Sequence, residues 1–388
     1  MWIPALLFGV GWFIGFLVAI RRVRRMVRLT PRTRGEYEPD EWPSVCIIVA
    51  ARNEAETITD AMTSLLHLDY PDYQVIAVND RSEDDTGALL ERMASAESRL
   101  RVIHIDRLPK GWIGKNHALH RGAAAARASW LLFTDADVRF HPKTLNVALA
   151  YALQRGFDHL TLSPRLTYGG GLLGSVFVAF SMLFGLRFHP DKVSDPHSKA
   201  FVGIGAFNLV RATVYQAIGG HRSLALCPID DVWLGRRIKR AGFRQGYAYA
   251  PALLRVAWYT RLRDMARGLE KNALAAFGYR AVPFFLFLFL HLGVIAGPFV
   301  GLTMGGLSGG ALFMPAVIFE WLTHLFVAVH VLNFSIVTGV LGPLGHIILN
   351  FMMLRAGLLS LFRGKIRWRG DDYSLKELRR FFRNEHQT

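Results

Sequence analysis

Long apolar stretches lie near both ends of the chain. No charged residue occurs from Met1 to Ile20, and Glu320 is the only formally charged residue from Ala281 to Leu354. About 20 helical residues, rising roughly 1.5 Å each, cross a hydrocarbon core of about 30 Å. The pattern predicts a transmembrane helix over 1–20 and a transmembrane region over 281–362. A buried helix of a soluble protein is the alternative for 1–20.

Basic residues flank these apolar stretches. Five arginines lie between Arg21 and Arg28, and four basic residues lie between Arg363 and Arg369. The positive-inside rule places both flanks in the cytoplasm, with a basic linker over 21–41 and a basic tail over 363–388. A signal peptide would carry its basic residues before the apolar run, so we predict an uncleaved anchor.

The C-terminal apolar region gives two conflicting indications. Hydropathy marks three candidate spans, near 283–304, 312–333 and 340–361, whereas two cytoplasmic flanks require an even number of crossings. Either one segment is re-entrant or interfacial, or the region divides into four short helices. Glycine and proline clusters such as 305–306, 309–310 and 342–343 permit both solutions.

The central part of the chain alternates short apolar runs with amphipathic stretches. Strands are predicted at 44–50, 74–79, 101–105 and 130–134, each followed by a helical pattern. Strands that alternate with helices predict an α/β fold with a largely parallel sheet, here as a cytoplasmic domain over 42–260. Residues 172–188 are apolar but short for a membrane span. The stretch 261–280 interleaves arginines with apolar residues, as in a helix lying in an anionic interface.

Polar residues follow the predicted strands at their carboxyl ends, where such sheets bind ligands. Arg52, Asn53 and Glu54 follow the first strand, Asp80 ends the second, and Asp135 and Asp137 end the fourth. Two carboxylates one residue apart suit a hard cation that also carries phosphate oxygens. Taken singly, Asp80 could be a turn or helix-cap residue. Asp135 and Asp137 (the Asp135 pair) could simply lie in a turn.

Overall composition narrows the classes of protein. The chain has 388 residues, a formal net charge of +16, 52% hydrophobic residues and two cysteines far apart in sequence. These values exclude a disordered chain, a disulfide scaffold and a cysteine-based zinc site. The charge suits an anionic membrane surface or nucleic acid, and the apolar ends favour the membrane. We expect no nucleic-acid partner.

These motifs resemble, in the same order, those of the family 2 glycosyltransferases, inverting enzymes of the GT-A fold that use nucleotide-diphosphate sugars. The resemblance covers about 42–260. It implies that Ala51, Arg52, Asn53 and Glu54 hold the uracil of a UDP-sugar and that Asp80 contacts the base. It implies that Asp135 and Asp137 bind Mn²⁺ or Mg²⁺ with the donor diphosphate.

Five further residues have counterparts in the family. Asp230-Asp231 is similar to its Glu-Asp motif, so Asp231 would be the general base; the pair could also simply open a helix. Lys115 lies in a glycine-punctuated loop that could meet a phosphate, although a solvated lysine fits equally. Arg367 and Trp368 retain part of the motif of processive synthases and would close over the donor, or anchor the chain at the interface.

The layout of the chain suggests the acceptor. A transferase tied to a bilayer at both ends is placed to glycosylate a lipid hydroxyl, so we expect a UDP-sugar donor, a membrane lipid acceptor, and a multi-pass protein of a bacterial inner (plasma) membrane. A processive polysaccharide synthase of the same fold is the first alternative. A non-catalytic basic membrane scaffold is the second.

Overall fold

The computed structural model describes residues 1–33 and 41–387, so 34–40 of the predicted basic linker and the last residue of the predicted tail lie outside it. The chain divides into two compact units. We call Val27–Thr167 with Phe188–Trp258 the sheet unit, and Met1–Met26, Tyr168–Arg187 and Tyr259–Thr388 the helical unit.

Secondary structure is numbered along the chain. The helices are α1 (Trp2–Arg25), α2 (Ile58–Leu66), α3 (Thr86–Ala96), α4 (Gly114–Ala125), α5 (Thr144–Arg155), α6 (Gly171–Phe188), α7 (Ala212–Ala217), α8 (Asp230–Arg240), α9 (Leu262–Asn272), α10 (Ala281–Met304), α11 (Gly306–Gly310), α12 (Met314–Phe326), α13 (Ile336–Val340), α14 (Gly342–Arg363) and α15 (Leu375–Gln387). The strands are β1 (Val45–Ala51), β2 (Tyr73–Asp80), β3 (Leu100–Ile105), β4 (Trp130–Asp135), β5 (Val138–Phe140), β6 (His159–Ser163), β7 (Arg165–Leu166), β8 (Asn208–Arg211), β9 (Gln245–Tyr249), β10 (Leu254–Val256), β11 (Lys365–Trp368) and β12 (Asp371–Ser374).

A seven-stranded sheet organises the sheet unit. Its strand order is β3-β2-β1-β4-β8-β6-β9. The first four strands in the chain pair in parallel, whereas β8 runs antiparallel to both β4 and β6. All four predicted strands are confirmed to within a residue or two, and so is the α/β class. A smaller sheet has the order β5-β10-β7.

Residues on the central strands are almost completely buried, which explains their apolar sequence. Ile47, Ile48 and Val49 of β1 have no exposed surface, and Val75 and Ala77 of β2 are equally buried. Strands covered by helices on both faces read as continuous apolar runs rather than alternating ones. The carboxyl ends of β1, β2 and β4 therefore present polar side chains where the buried run stops.

The helical unit contains long apolar helices. Among the residues that the structure describes, five helical stretches are long and apolar enough to cross a membrane: Trp2–Arg25, Gly171–Lys192, Ala281–Met304, Ala311–Val331 and Gly342–Arg363. The sequence predicts that residues 172–188 are too short for a membrane span. The helical stretch there is longer, because a 3₁₀ turn at Pro190–Lys192 follows α6. This stretch is also divided between the two units. Its residues up to Arg187 belong to the helical unit, and those from Phe188 belong to the sheet unit.

Apolar surface is concentrated in the helical unit. Among the described residues, every large apolar side chain that is strongly exposed lies there, including Leu7 of α1 at 69%, Phe289 of α10 at 75% and Phe362 of α14 at 94%. Contiguous apolar surface of this kind marks a membrane or protein contact.

A cluster of histidines occupies the interior of the helical unit. His291 Nε2 lies 2.9 Å from His346 Nδ1. The ring centroids of His324 and His346 are 4.9 Å apart, and those of Trp12 and His324 are 5.7 Å apart. Helices α1, α10, α12 and α14 therefore meet around polar rings as well as apolar ones.

Candidate active site

Two loops at the carboxyl edge of the main sheet are hydrogen-bonded to each other. The Asn53 amide donates to Ser82 Oγ over 3.0 Å, and Asn53 Oδ1 accepts from the Glu83 amide at 2.8 Å. The Glu54 amide donates to Thr86 Oγ1 over 2.8 Å. Asn53 has a positive φ of 54°, a conformation that asparagine tolerates well. Asn53 and Glu54 thus fix the shape of this edge.

Asp80 ends β2 with its carboxylate held by the next residue. Arg81 Nε donates to Asp80 Oδ1 over 2.8 Å, and Arg81 Nη2 donates to Oδ2 over 3.1 Å. Asp80 is buried, and a side chain at Gly114 would collide with its Oδ2. The glycine at the first turn of α4 therefore lets that helix approach the end of β2. Ala51 is also buried at the end of β1.

Lys115 brings together carboxylates that are far apart in sequence. Its Nζ lies 2.7 Å from Asp135 Oδ1 and 3.8 Å from Asp230 Oδ1. Lys115, Asp135, Asp230 and Asp231 line one small enclosed space of about 10 Å³, about enough for one water. Burial acts to lower the pKa of Lys115, but the carboxylates of Asp135, Asp230 and Asp231 outweigh it and raise that pKa.

Asp231 is held by backbone amides. Its Oδ2 accepts from the Gly205 amide at 2.7 Å, and its Oδ1 accepts from its neighbour Val232 at 2.8 Å. A Cβ at Gly203 would collide with the Asp231 backbone carbonyl, so this approach requires glycine. Desolvation raises the pKa of Asp231 above its ordinary value, against the lowering effect of Lys115.

Two residues that sequence reasoning did not select contribute to this arrangement. His221 is buried, and its Nε2 lies 3.9 Å from Asp230 Oδ2. Asn116, next to Lys115, donates through Nδ2 to the carbonyls of Leu224 and Cys227 at 2.6 and 2.9 Å. Asn116 thereby ties α4 to the segment that leads into Asp230. Only its position beside Lys115 pointed to it, and His221 had no sequence signal.

The donors of the Asp135 pair have the chemistry of part of a metal site. Asp135 ends β4, Asp137 directly precedes β5, and both are only partly buried. Within the described residues, no group of three or more His, Cys, Asp or Glu side chains could hold a metal ion alone. Mg²⁺ and ions like it are often held by one or two carboxylates together with substrate phosphates. The pair therefore fits a divalent cation whose coordination a diphosphate completes.

Residues 46–219 match the model of glycosyl transferase family 2. This segment is a family 2 glycosyltransferase domain. It contains β1 to β4, Asp80, Lys115 and the Asp135 pair, which confirms the family suggested by the sequence motifs. Asp230 and Asp231 lie beyond the matched residues, so their assignment rests on their geometry beside Lys115.

Curated relatives of the family 2 domain include polysaccharide enzymes. Poly-beta-1,6-N-acetyl-D-glucosamine synthase of Staphylococcus aureus (strain COL) is 24% identical over 174 residues, 43% of this chain and 39% of that protein. The succinoglycan biosynthesis protein ExoO of Rhizobium meliloti (strain 1021) is 36% identical over 106 residues, 27% of this chain and 29% of that protein. The chain thus matches about two fifths or less of these relatives' lengths.

A solved structure extends the likeness beyond the family 2 domain. The mannosyltransferase PcManGT from Pyrobaculum calidifontis, in complex with GDP-Man and Mn²⁺, is similar with a TM-score of 0.54 and 18% identity. The match covers 93% of this chain and 99% of that one. At this identity it shows a shared fold, the GT-A fold.

Arg367 and Trp368 lie outside the family 2 domain, in the helical unit. Both belong to β11, which pairs with β12. Arg367 Nε lies 3.5 Å from Asp372 Oδ1, and Lys271 Nζ lies 4.0 Å from the centre of the Trp368 ring. Both side chains thus have partners within their own unit, and their contact with a donor stays a prediction.

Proposed function

We propose that this protein is an inverting, metal-dependent glycosyltransferase that moves a sugar from a nucleotide-diphosphate sugar to a hydroxyl of a membrane lipid. UDP-hexose is the donor that the nucleotide motifs favour. The observation that carries the proposal is the convergence of Lys115, Asp135, Asp230 and Asp231 at one edge of a family 2 domain.

Asp231 is the proposed general base. In a single displacement the acceptor oxygen attacks the anomeric carbon, the bond from that carbon to the donor phosphate breaks, and the nucleoside diphosphate leaves. The acceptor proton passes to the Asp231 carboxylate. Desolvation raises the pKa of Asp231, and a higher pKa makes its carboxylate a stronger base. The amide of Gly205 keeps that carboxylate in place.

The donor diphosphate is proposed to bind at Lys115 and the Asp135 pair. One lysine among three carboxylates leaves an excess of negative charge, which a divalent cation shared with the diphosphate would offset. Asp135 and Asp137 would hold that cation. The GDP-Man and Mn²⁺ bound in the mannosyltransferase complex support a donor and ion of these classes. Asp80, together with Ala51, Arg52, Asn53 and Glu54, would bind the base.

The lipid acceptor and the membrane location are supported by the helical unit. Its exposed apolar side chains and long apolar helices suit a bilayer. We propose a multi-pass protein whose sheet unit is cytoplasmic, in contact with anionic lipid through basic residues that flank the helices.

Synthesis of a polysaccharide is the second candidate. The names of the Staphylococcus aureus and Rhizobium meliloti relatives favour it. The two candidates differ in the product, since a single transfer gives a lipid carrying one sugar and a processive enzyme gives a long chain.

A transfer assay on the full chain tests the proposal. Membranes or detergent-purified protein would receive radiolabelled UDP-hexoses or GDP-mannose, Mn²⁺ and total bacterial lipid. We expect labelled product in the organic phase, dependent on Mn²⁺ and lost with EDTA. Asp231→Asn should lower turnover by about 10²- to 10⁴-fold, the usual contribution of general base catalysis, while donor-induced thermal stabilisation persists.

The matched control is Asp72→Asn, an exposed carboxylate at the opposite end of β2 from Asp80. Its turnover should equal that of the unmodified protein. Water-soluble polymer as the labelled product would replace the lipid acceptor with the second candidate. Full turnover by Asp231→Asn would remove Asp231 as the base.

A further inference from the structure

An apolar groove lies between α9 and α14 in the helical unit. Its volume is about 460 Å³, within the usual range of small-molecule sites. Leu262 and Ala266 of α9 form one wall, and Ile347, Phe351 and Met352 of α14 form the other. These residues recur at helical spacing, so each wall is one continuous face of its helix.

The groove follows from the way α9 is packed. Met265 and Leu269 are buried, whereas Arg261, Arg263 and Arg267 are exposed. Part of the apolar face of α9, the predicted interfacial helix, therefore packs against protein. The rest of that face lines the groove. Phe351 on the facing wall is 69% exposed.

Arginine side chains add positive charge to this apolar lining. Arg263 and Arg355 both line the groove. Glu270 Oε1 lies 2.7 Å from Arg355 Nη1, and Glu270 Oε2 lies 3.5 Å from Arg363 Nη1. One carboxylate is therefore shared by two guanidinium groups. Arg263 has neither an ion pair nor a hydrogen bond within the described residues. Positive charge is therefore in excess beside the groove.

We propose that this groove binds an anionic membrane phospholipid, with an acyl chain between α9 and α14 and the headgroup phosphate at Arg263. Apolar walls match the chain, and an unpaired guanidinium matches a phosphate that it can bind through two hydrogen bonds. This site rests on the proposed membrane location and not on the proposed transferase activity. A failed transfer assay would leave it standing.

Native mass spectrometry of the full chain in a nonionic detergent tests the site. Phosphatidylglycerol would be titrated against phosphatidylcholine with identical acyl chains. We expect phosphatidylglycerol to bind at least about fivefold more tightly, the effect of one basic residue beside an anionic headgroup. Millimolar inorganic phosphate should not displace it, because phosphate lacks the acyl chain.

Three variants locate the binding. Ala266→Trp fills the groove and should weaken both lipids about tenfold or more. Arg263→Gln should weaken phosphatidylglycerol about fivefold and phosphatidylcholine less, because the choline ammonium already offsets the charge of that lipid's phosphate. Arg267→Gln, an exposed arginine one turn further along α9 that does not line the groove, is the matched control and should bind as the unmodified protein does.

The proposal is overturned by equal binding of the two lipids, by displacement with inorganic phosphate, or by unchanged binding in Ala266→Trp. An equal loss of phosphatidylglycerol binding in Arg263→Gln and Arg267→Gln would also overturn it. The effect would then come from the overall positive charge of α9 and not from a defined site. Arg263→Gln changes only an exposed side chain, so its result does not depend on the folding of the bulkier Ala266→Trp.

Discussion

The protonation state of the buried His159 side chain follows from its two hydrogen-bond partners. It has no exposed surface in the sheet unit. Its Nε2 lies 3.0 Å from Asn208 Oδ1, an acceptor, and its Nδ1 lies 2.7 Å from Gln245 Nε2, a donor. Nε2 therefore carries the proton and Nδ1 accepts, which satisfies the neutral ring completely. Burial lowers the pKa of His159 to about 4.

This depressed pKa predicts a loss of stability in mild acid. Between pH 6.5 and 4 the unfolded chain binds a proton at His159 that the folded chain does not. The contribution is fully present above pH 6.5, and the free energy of unfolding falls by about 3 kcal/mol as the pH drops to 4. Thermal unfolding of the sheet unit between pH 7.5 and 4.5 measures it.

A pair of variants separates His159 from other acid-sensitive groups. His159→Gln should reduce the pH slope by about one proton, even if it lowers stability at pH 7.5. Ser95→Ala, which changes an exposed side chain that does not titrate, should keep the original slope. An unchanged slope in His159→Gln would show that the ring is protonated in the folded protein.

At the scale of elements, α12 is unusual because it carries a carboxylate inside an apolar bundle. Glu320 has no exposed surface, and neither of its carboxylate oxygens has a hydrogen-bond partner within the described residues. His324, one turn later, lies with its Nδ1 2.7 Å from the Glu320 carbonyl. A buried polar group without a partner costs stability, by roughly 1–3 kcal/mol.

Replacing this carboxylate by an apolar group should therefore stabilise the bundle. We expect Glu320→Leu to raise the thermal midpoint in detergent by about 2 to 6 °C, the range that follows from that cost for a domain of this size. Glu320→Gln, which keeps a polar group of the same shape, should gain less. A lower midpoint for Glu320→Leu would mean that the carboxylate makes a contact important to the bundle.

Some elements were predictable from local sequence, and others were not. Strands β1, β2 and β4 are largely buried, so each is a short apolar run bounded by polar residues. The pairing of β4 with β8 was not predicted, because β8 is only four residues long and pairs antiparallel with strands that are distant in sequence.

On the scale of the whole molecule, packing restricts how the chain can cross a membrane. The sheet unit includes segments before and after α6, so in the proposed membrane location both ends of α6 lie on one side. Residues of the tail pack against the segment before α10: Trp368 lies against Lys271, and Arg379 donates to the carbonyl of Tyr279 over 3.2 Å. These contacts favour an even number of crossings between 281 and 362, as the basic flanks suggested.

Labelling of single cysteines tests this topology. With the buried Cys46 and Cys227 replaced by serine, a cysteine is introduced at exposed Ser95, Ser194 or Lys376. We expect a membrane-impermeant maleimide to label all three in inverted vesicles and none in intact spheroplasts.

The exposed Met304, at the end of α10, is the control for the opposite side. Met304→Cys should be labelled in spheroplasts. Labelling of Lys376→Cys in spheroplasts would establish an odd number of crossings, and labelling of Ser194→Cys there would place α6 across the membrane.

The sequence by itself determined the α/β class, the four parallel strands, the apolar ends and the polar residues at the strand ends, because each depends on neighbours in the chain. Only the tertiary structure decided that Lys115 lies between Asp135 and Asp230, that glycine backbone holds Asp231, and that α9 leaves a groove against α14. Those contacts join segments far apart in sequence. Periodicity records which side of an element is buried, but only packing of the folded chain settles what it is buried against.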